Sequence, residues 1–569
     1  MVASIVFTTA ACSFHASYTK FCRTPAYLSK HASYLIPLTT SYFPSQTSNV
    51  KLHIAPSEAS SRSCLSRLAA AGAVRIDGRN RKGDTPAEAL IPNDLRSRMI
   101  DVERQLDGLF SEVKSLISLE KKNDAADLLE ANYLAVKDQM DAGFRSIEEA
   151  AILDVLALGY MALNDTRTVV SLLDLLNGVV SGLKEEEEFL DSILVHMGNM
   201  YEKLEKFELA VDHYRRALEI TEKKYGVRSS LLVSPMLGMA KALGSNKKVT
   251  EAVTTYQRVI ELLEYHKGRL CEELVLPLFA LGKLFLSEGR VSEAEIAFER
   301  ILNIYSRLYG EKDGRVGTAL CFLAHVKCAT GSVDEAIDLY KDAFRTLKES
   351  KFVELDDDLM EKIRLDLAEL LHVAGRGEEG RVLLEECMLI TEKYQGKDHP
   401  RYAIQLINIA TSYSQSKKFA EAEHFLRKSL QIMTKTKPPD DQSITYPMLH
   451  LAVTLYNLNR DEEAETFALK ALHIREKVFG PESLPVGEAL DCLVAIQTRL
   501  GRDDKDILQL LKRVLEIQEF AFGYDSEEVM ETLKKVVHFV DKLGLKSEKF
   551  PLQRRLSALK SKYKQRVKY

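Results

Sequence analysis

The sequence has no run of eighteen uncharged apolar residues, and this excludes a helix long enough to cross a membrane. Glycine and proline are both scarce, with 28 and 15 copies among 569 residues. Because each of them interrupts helices, their scarcity favours helical structure. The eight cysteines are scattered and form no disulfide framework. The formal charge of −5 argues against a general nucleic-acid binder, since phosphate contacts require a basic surface.

Acidic residues are absent from the first 57 positions, and Glu58 is the first one in the chain. The same stretch contains sixteen Ser or Thr residues and only four Lys or Arg. This composition is typical of an organelle transit peptide, and the low arginine content favours the plastid over the mitochondrion. We therefore predict a disordered transit peptide over 1–70 and a linker over 71–94. The predicted location is the chloroplast, in the stroma or at the thylakoid; the alternative is a tail on a cytosolic protein.

A repeat of about 42 residues organises the rest of the chain. Eight anchor positions follow one another at spacings of 42 to 44 residues, and the residue twelve before each anchor is always Gly or Ala. The residue ten after the anchor is aliphatic in seven of the eight repeats. The anchors are Ala210, Ala252, Ala294, Ala336, Gly380, Ala422, Ala464 and Ile507.

Each repeat is predicted to form two antiparallel helices. The second helix begins near the anchor, where apolar residues recur at helical spacing, and the small residue twelve before it lets the two helices approach closely. A glycine sixteen residues after the anchor is predicted to end the second helix in the left-handed conformation. It occurs in six repeats, at Gly226, Gly268, Gly310, Gly396, Gly480 and Gly523. Because one pair cannot cover its own apolar faces, the sequence predicts an all-α solenoid of stacked pairs.

The repeats resemble the tetratricopeptide repeat (TPR). Five residues of the first repeat fall on small and aromatic positions of that motif: Gly198, Tyr201, Ala210, Tyr214 and Ala217. The 42-residue period is similar to that of the kinesin light chain variety, as are the segments 462–483 and 390–400. The resemblance covers roughly 190–540. It implies a right-handed superhelical solenoid that recognises other proteins, in a plastid-targeted plant member of the superfamily.

The predicted domain organisation places eight TPR-like repeats at 189–540, between two less regular segments. Degenerate helical hairpins are expected over 95–183, where a heptad seam indicates either a helix packed on the solenoid or a short dimerising coiled coil. The segment 545–569 combines an apolar stripe with nine Lys or Arg residues. It is interpreted as a basic capping helix, which could also contact an anionic lipid surface, RNA or an acidic protein.

Sequence motifs of catalysis are absent: there is no Gly-rich phosphate loop, nucleophile elbow or zinc-protease helix motif. We therefore predict that the protein is not an enzyme and has no cofactor or catalytic residues. Cys321, His325 and Cys328 lie at i, i+4 and i+7 on one helix face, a spacing that suits either a metal ion or ordinary packing. Packing is the prediction, since no fourth ligand is visible.

The partner-binding site is predicted on the concave surface that first helices line in this kind of repeat. A polar row lies eleven residues before the anchors, at Asn199, Lys241, Lys283, His325, Glu369 and Thr411. An apolar row lies four residues earlier, at Val195, Leu237, Phe279, Cys321, Leu365 and Ile407. Neighbouring polar and apolar rows suit an extended peptide or a helix. The first three polar residues form a neutral-to-basic stretch that favours an acidic ligand.

The predicted function is that of a chloroplast protein–protein interaction scaffold or adaptor, acting in the assembly or biogenesis of an organelle complex. One alternative is an organelle RNA-binding helical-repeat factor, although such proteins repeat at about 35 residues and have basic surfaces. The other alternative is a cytosolic adaptor related to kinesin light chain, which requires that residues 1–70 are not a transit peptide. Peripheral contact with a membrane through the basic C-terminus is compatible with each of these.

Overall fold

The computed structural model describes residues 108–119, 121–141 and 146–566. The predicted transit peptide, the linker and the seam before residue 108 lie outside these residues. Every regular element in the described ranges is a helix and no strand occurs in them, which confirms the predicted all-α class. None of the described helices is long and apolar enough to cross a membrane.

Contacts divide the chain into two units, with the boundary between Glu311 and Lys312. In the N-terminal unit, residues 108–118 are helical and are followed by nine further helices with described bounds. These are α1 (Lys122–Asp141), α2 (Ile147–Ala162), α3 (Thr166–Val180), α4 (Leu190–Lys203), α5 (Phe207–Tyr225), α6 (Val233–Ser245), α7 (Val249–Lys267), α8 (Val275–Ser287) and α9 (Val291–Tyr309). Single 3-10 turns, Ser230–Leu232 and Glu272–Leu274, precede α6 and α8.

The C-terminal unit contains repeats four to eight and one further helix pair. Its helices are α10 (Gly314–Thr330), α11 (Val333–Ser350), α12 (Asp358–Val373), α13 (Gly377–Gln395), α14 (Pro400–Gln415), α15 (Phe419–Thr436), α16 (Thr445–Asn457), α17 (Asp461–Phe479), α18 (Leu484–Leu500), α19 (Asp504–Phe522), α20 (Glu527–Lys542) and α21 (Lys546–Arg566). The 3-10 turn Gln442–Ile444 precedes α16. Within both units, consecutive helices pack against each other as antiparallel pairs.

The small residue of the first helix sets how closely each pair packs. A Cβ atom built on Gly282 of α8 would lie 2.7 Å from Cζ of Phe298 on α9. The same arrangement recurs in the first repeat, where a Cβ on Gly198 would lie 2.8 Å from the Tyr214 ring. In the fifth repeat the roles are exchanged: a Cβ on the anchor Gly380 would lie 2.7 Å from the backbone oxygen of Ala368. The pairs therefore fit without space for an additional carbon atom.

The recurrent glycines end the second helices, but in a conformation that differs from the prediction. Gly226 caps α5 with φ 83° and ψ 159°, and Gly310 caps α9 with φ 86° and ψ 157°. The positive φ agrees with the need for glycine, whereas the extended ψ lies outside the left-handed helical region that the sequence analysis proposed. The extended ψ directs the chain away from the helix toward the next first helix.

The helices upstream of the repeats share a core with them. Val113 of the 108–118 helix, Leu129 of α1 and Leu153 of α2 are all buried, and they belong to one cluster of apolar side chains that continues to Ala252 of α7. The described part of the heptad seam is therefore packed against its own chain. This arrangement agrees with a helix packed on the solenoid rather than with a dimerising coiled coil.

The basic C-terminal segment packs as the second helix of a pair whose first helix is α20. Leu556 and Leu559 of α21 are buried in one cluster with Val536 and Val540 of α20. The apolar stripe of α21 is thus covered by its own chain. Three of its basic residues are engaged in ion pairs within the unit, namely Lys549 with Asp541, Arg555 with Glu519 and Lys562 with Asp525.

A carboxylate and an arginine 36 or 37 residues apart join several successive second helices in each unit. The pairs are Glu222–Arg258, Glu264–Arg300, Glu476–Arg513 and Glu519–Arg555. The last pair joins α19 to α21 at the same spacing as the others. By this measure α20 and α21 form a ninth helix pair that continues the array.

Replacing Gly282 with Leu is expected to lower the free energy of unfolding by about 1–3 kcal/mol, because the added side chain meets the Phe298 ring. The matched control is Gly178→Leu in α3, where a Cβ has no neighbour within 4 Å. Urea unfolding followed by circular dichroism measures both variants. Equal stability of Gly282→Leu and the unsubstituted chain would contradict the described helix pairing.

Candidate functional site

The predicted polar row lies on the first helices, and all six of its residues are half-buried. In the N-terminal unit it comprises Asn199 on α4, Lys241 on α6 and Lys283 on α8. These three helices contact one another in succession, so the side chains follow one surface of the unit. We call this surface, together with Val195, Leu237 and Phe279 beside it, the first-helix face of the N-terminal unit.

Asn199 is part of the packing between its two helices. Its side-chain oxygen accepts a hydrogen bond of 2.7 Å from the Tyr214 hydroxyl, which reaches across from α5. Burial, and secondarily the charge of Glu202, raises the pKa of Tyr214, so this hydroxyl remains a donor at neutral pH. The interaction fixes one edge of the asparagine amide within the fold.

Two lysines form the charged part of the first-helix face. Lys241 makes an ion pair with Glu202 of α4, and its side chain is 40% exposed. Burial lowers the pKa of Lys283, and the positive charge of Lys241 lowers it further. The two ammonium groups therefore interact with each other, while Glu202 offsets the charge at the Lys241 end. An anionic group placed near Lys283 would relieve this repulsion.

The apolar row is accessible in only part of the chain. Val195, Leu237 and Phe279 in the N-terminal unit are all half-buried and retain some exposed surface. In the C-terminal unit, Cys321 is 3% exposed and Ile407 is 2% exposed, so both belong to the core, whereas Leu365 is half-buried and lies beside the acidic Glu369. Accessible apolar and basic side chains therefore occur together in the second and third repeats.

The polar row of the C-terminal unit is engaged in contacts within its own unit. The Nδ1 atom of His325 lies 2.8 Å from the carbonyl oxygen of Cys321, and Nε2 lies 3.6 Å from a carboxylate oxygen of Asp366 on α12. The Thr411 hydroxyl donates to the carbonyl oxygen of Ile407 at 2.9 Å. Glu369 is close enough to Cys328 for its charge to raise the pKa of that thiol.

The cysteines beside His325 behave as packing residues. Burial raises the pKa of Cys328 to about 12 and also raises that of Cys321, so both thiols stay protonated at neutral pH. Thiolate is the form that binds metals. Within the described residues, no group of three or more His, Cys, Asp or Glu side chains is arranged to hold a metal ion.

Sequence reasoning did not identify Glu202 and Asp366, the acidic partners of the polar row. Glu202 stands three residues after Asn199, and Asp366 stands three residues before Glu369, so each shares a helix face with a predicted residue. That spacing is the signal that could have identified them. The contacts to Lys241 and His325 join neighbouring repeats, and only the stacking of the helix pairs brings them together.

The stacked antiparallel pairs define a helical-repeat protein of the solenoid class. The chain contains tetratricopeptide repeats: one profile of the tetratricopeptide repeat family matches residues 189–264, 275–349 and 359–435, and a second matches 448–484. These matches begin with the first repeat and end at the first residue of α18. Such repeats indicate a protein-interaction scaffold, and no enzyme family is indicated.

Several solved structures show some similarity to the chain. The TPR-like repeats of a Podosopora anserina protein assigned as a kinesin light chain are 21% identical, with a TM-score of 0.33 over 36% of this chain and 95% of that one. BtubC from P. vanneervenii is 19% identical, with a TM-score of 0.33 over 40% and 92%. The quorum sensor NprR from B. thuringiensis is 13% identical, with a TM-score of 0.37 over 80% and 99%. No curated protein matches the sequence.

The protonation of His325 is expected to make stability depend on pH. Burial lowers its pKa in the folded chain, against the opposing charge of Asp366. Below about pH 6.5 the unfolded chain therefore takes up a proton that the folded chain does not, and stability falls as the pH decreases. In His325→Gln this loss should be smaller, as measured by urea unfolding across that range. The exposed His538→Gln variant controls for loss of an imidazole. An unchanged slope in His325→Gln would contradict the assignment.

Proposed function

We propose that the protein is a chloroplast scaffold that binds an acidic segment of a partner protein on the first-helix face of its N-terminal unit. The observation that carries this proposal is that Lys241 and Lys283 lie close to each other and beside the accessible apolar side chains of Leu237 and Phe279. The tetratricopeptide repeats support a protein as the partner.

The lysine pair favours an acidic ligand more strongly than two exposed lysines would. Charges on a fully exposed surface interact weakly because water screens them. Lys283 is partly desolvated and lies within the field of Lys241, so a carboxylate close to it gains attraction that water would otherwise reduce. The charge contacts would select the partner, and apolar contacts at Leu237 and Phe279 would supply much of the affinity.

Glu202 limits which acidic segments can bind. Its carboxylate already pairs with Lys241 and is mostly buried, with 12% of its side chain exposed. A ligand carboxylate therefore gains most at Lys283, and one placed at Lys241 meets the charge of Glu202. The favoured ligand has its acidic residue over α8 and apolar residues on either side.

Replacing both lysines with glutamine should weaken binding of an acidic peptide at least about tenfold, since it removes the positive field and leaves the apolar contacts intact. The probes are three fluorescent peptides with identical leucines and with Glu, Gln or Lys at the other positions. Glutamine is preferred to glutamate here because a new carboxylate at position 241 would repel Glu202 and reduce stability. Fluorescence anisotropy measures the dissociation constants.

The matched control replaces Lys247 and Lys248 with glutamine; both lysines are exposed in the turn between α6 and α7. This control should bind the Glu peptide like the unsubstituted chain. Equal binding of the Glu and Lys peptides by the unsubstituted chain, or retained binding by the Lys241→Gln/Lys283→Gln variant, would exclude the proposed site.

The proposed chloroplast location rests on the composition of residues 1–57, which contain no acidic residue and are rich in Ser and Thr. The proposed role in assembling an organelle complex depends on this location. Residues 1–70 fused to a fluorescent protein should enter chloroplasts, and the processed protein should begin near the end of this segment. A matched fusion with Glu replacing Lys20, Arg23 and Lys30 should stay outside. Diffuse cytosolic fluorescence of the first fusion would contradict the location and leave the binding site unaffected.

A further inference from the structure

The helix α21 carries positive charge that its own unit only partly neutralises. The segment 545–569 contains nine Lys or Arg and a single acidic residue, Glu548, which is already paired with Lys512 of α19. Three of the cations are also engaged in ion pairs. The exposed cations of α21 that make no ion pair with a described residue are Lys546, Arg554 and Lys560.

These three cations share one side of α21 with an exposed aromatic ring. Lys546, Phe550, Arg554 and Lys560 follow one another at intervals of four, four and six residues, which places them within about a third of the helix circumference. Phe550 is 71% exposed. Leu556 and Leu559 lie on the opposite side and are buried. We call the four residues the outer face of α21, and it includes no acidic residue.

Phe520 adds a second exposed ring on the neighbouring helix α19. Its side chain is 92% exposed, more than any other large apolar side chain in the part of the chain that the structure describes. Ion pairs between residues 36 or 37 apart hold α19 beside α21, namely Lys512–Glu548, Glu519–Arg555 and Asp525–Lys562. This offset places Phe520 level with Ser557, and so between Arg554 and Lys560 along the helix direction.

We propose that the outer face of α21, together with Phe520, binds the surface of an anionic lipid bilayer. Its Lys and Arg side chains lie at the level of the negatively charged headgroups, and the two phenylalanine rings enter the region where the acyl chains begin. The apolar stripe of α21 stays packed against α20, so the contact is peripheral.

A bilayer fits this surface better than a strand of nucleic acid does. Proteins that hold single strands use a positively charged groove that follows the phosphate backbone. Here the cations lie on the outside of a helix, and Phe550 stands exposed among them. The surface belongs to the C-terminal unit and shares no residue with the first-helix face, so this proposal is independent of the proposed function.

The test is cosedimentation of the full chain with two kinds of vesicle, one of phosphatidylcholine alone and one of phosphatidylcholine and phosphatidylglycerol in equal parts. The chain should bind the mixed vesicles, and added sodium chloride should weaken this binding. Each Lys or Arg near an anionic surface contributes about fivefold in affinity. Replacing Lys546, Arg554 and Lys560 with glutamine should therefore weaken binding at least about thirtyfold.

The matched control removes the same amount of charge elsewhere in the C-terminal unit. It replaces Lys341, Lys348 and Lys351, which are exposed on and directly after α11, with glutamine. This control should bind the mixed vesicles like the unsubstituted chain. Equal binding to both kinds of vesicle, or equal losses in the two triple variants, would overturn the proposal.

A second pair of variants tests the phenylalanine rings without changing the charge. Phe520→Gln/Phe550→Gln should weaken binding to the mixed vesicles at least about tenfold, because two rings no longer leave water. Val382→Gln/Leu389→Gln on α13, where the side chains are 63% and 59% exposed, is the control and should bind normally. All four residues are exposed, so circular dichroism should show unchanged helicity. Undiminished binding by the phenylalanine variant would contradict the proposed insertion.

Two further probes separate a bilayer from other polyanions: a fluorescent single-stranded oligouridylate and a fluorescent polyglutamate peptide. Neither should show binding that depends on Lys546, Arg554 and Lys560. If the triple variant of these residues loses the oligouridylate but still binds the mixed vesicles, the surface is a nucleic-acid site and the proposal is wrong. Loss of polyglutamate with retained vesicle binding would assign the surface to an acidic protein and would equally overturn it.

Discussion

The close approach of the two helices in each repeat is the constraint on which the rest of the structure depends. The Phe298 ring rests on the bare backbone of Gly282, and the Tyr214 ring rests in the same way on Gly198. The core at these points is formed by an aromatic ring against a glycine, so its geometry tolerates little change. The same contact orients Tyr214 toward Asn199, and it thereby links the packing of a pair to the surface that the first helices present.

Charged residues divide into two groups with different consequences. On the second helices, Glu222–Arg258 and similar pairs join neighbouring repeats, and such partly exposed ion pairs contribute little stability individually. On the first helices, the ion pair between Lys241 and Glu202 also joins neighbouring repeats. In the next repeat the corresponding residue is again a lysine, Lys283, and the charge of Lys241 acts on it. The second-helix pairs each join a carboxylate to an arginine, whereas the first-helix face places two lysines close enough for the charge of Lys241 to lower the pKa of Lys283.

The sequence allowed the helix pairs, their small contact residues and the glycines after the second helices to be predicted, because each depends on residues close together in the chain. The extended ψ at Gly226 was not predicted, since composition at a helix end does not determine ψ. Of the site, the positions of Lys241 and Lys283 on one face followed from periodicity. Their relation to Glu202 depends on packing between neighbouring repeats and could be read only from the structure.

The most direct test of the central claim, that partners bind on the first-helix face, is site-specific photo-crosslinking in chloroplast extract. A photoreactive phenylalanine analogue replaces Phe279 on α8 or, as the matched comparison, Ile296 on α9, which is 65% exposed on the second helix of the same repeat. The account predicts that position 279 crosslinks an acidic partner and that the crosslink disappears in the Lys241→Gln/Lys283→Gln background. Crosslinking of the partner at position 296 with none at 279 would contradict it.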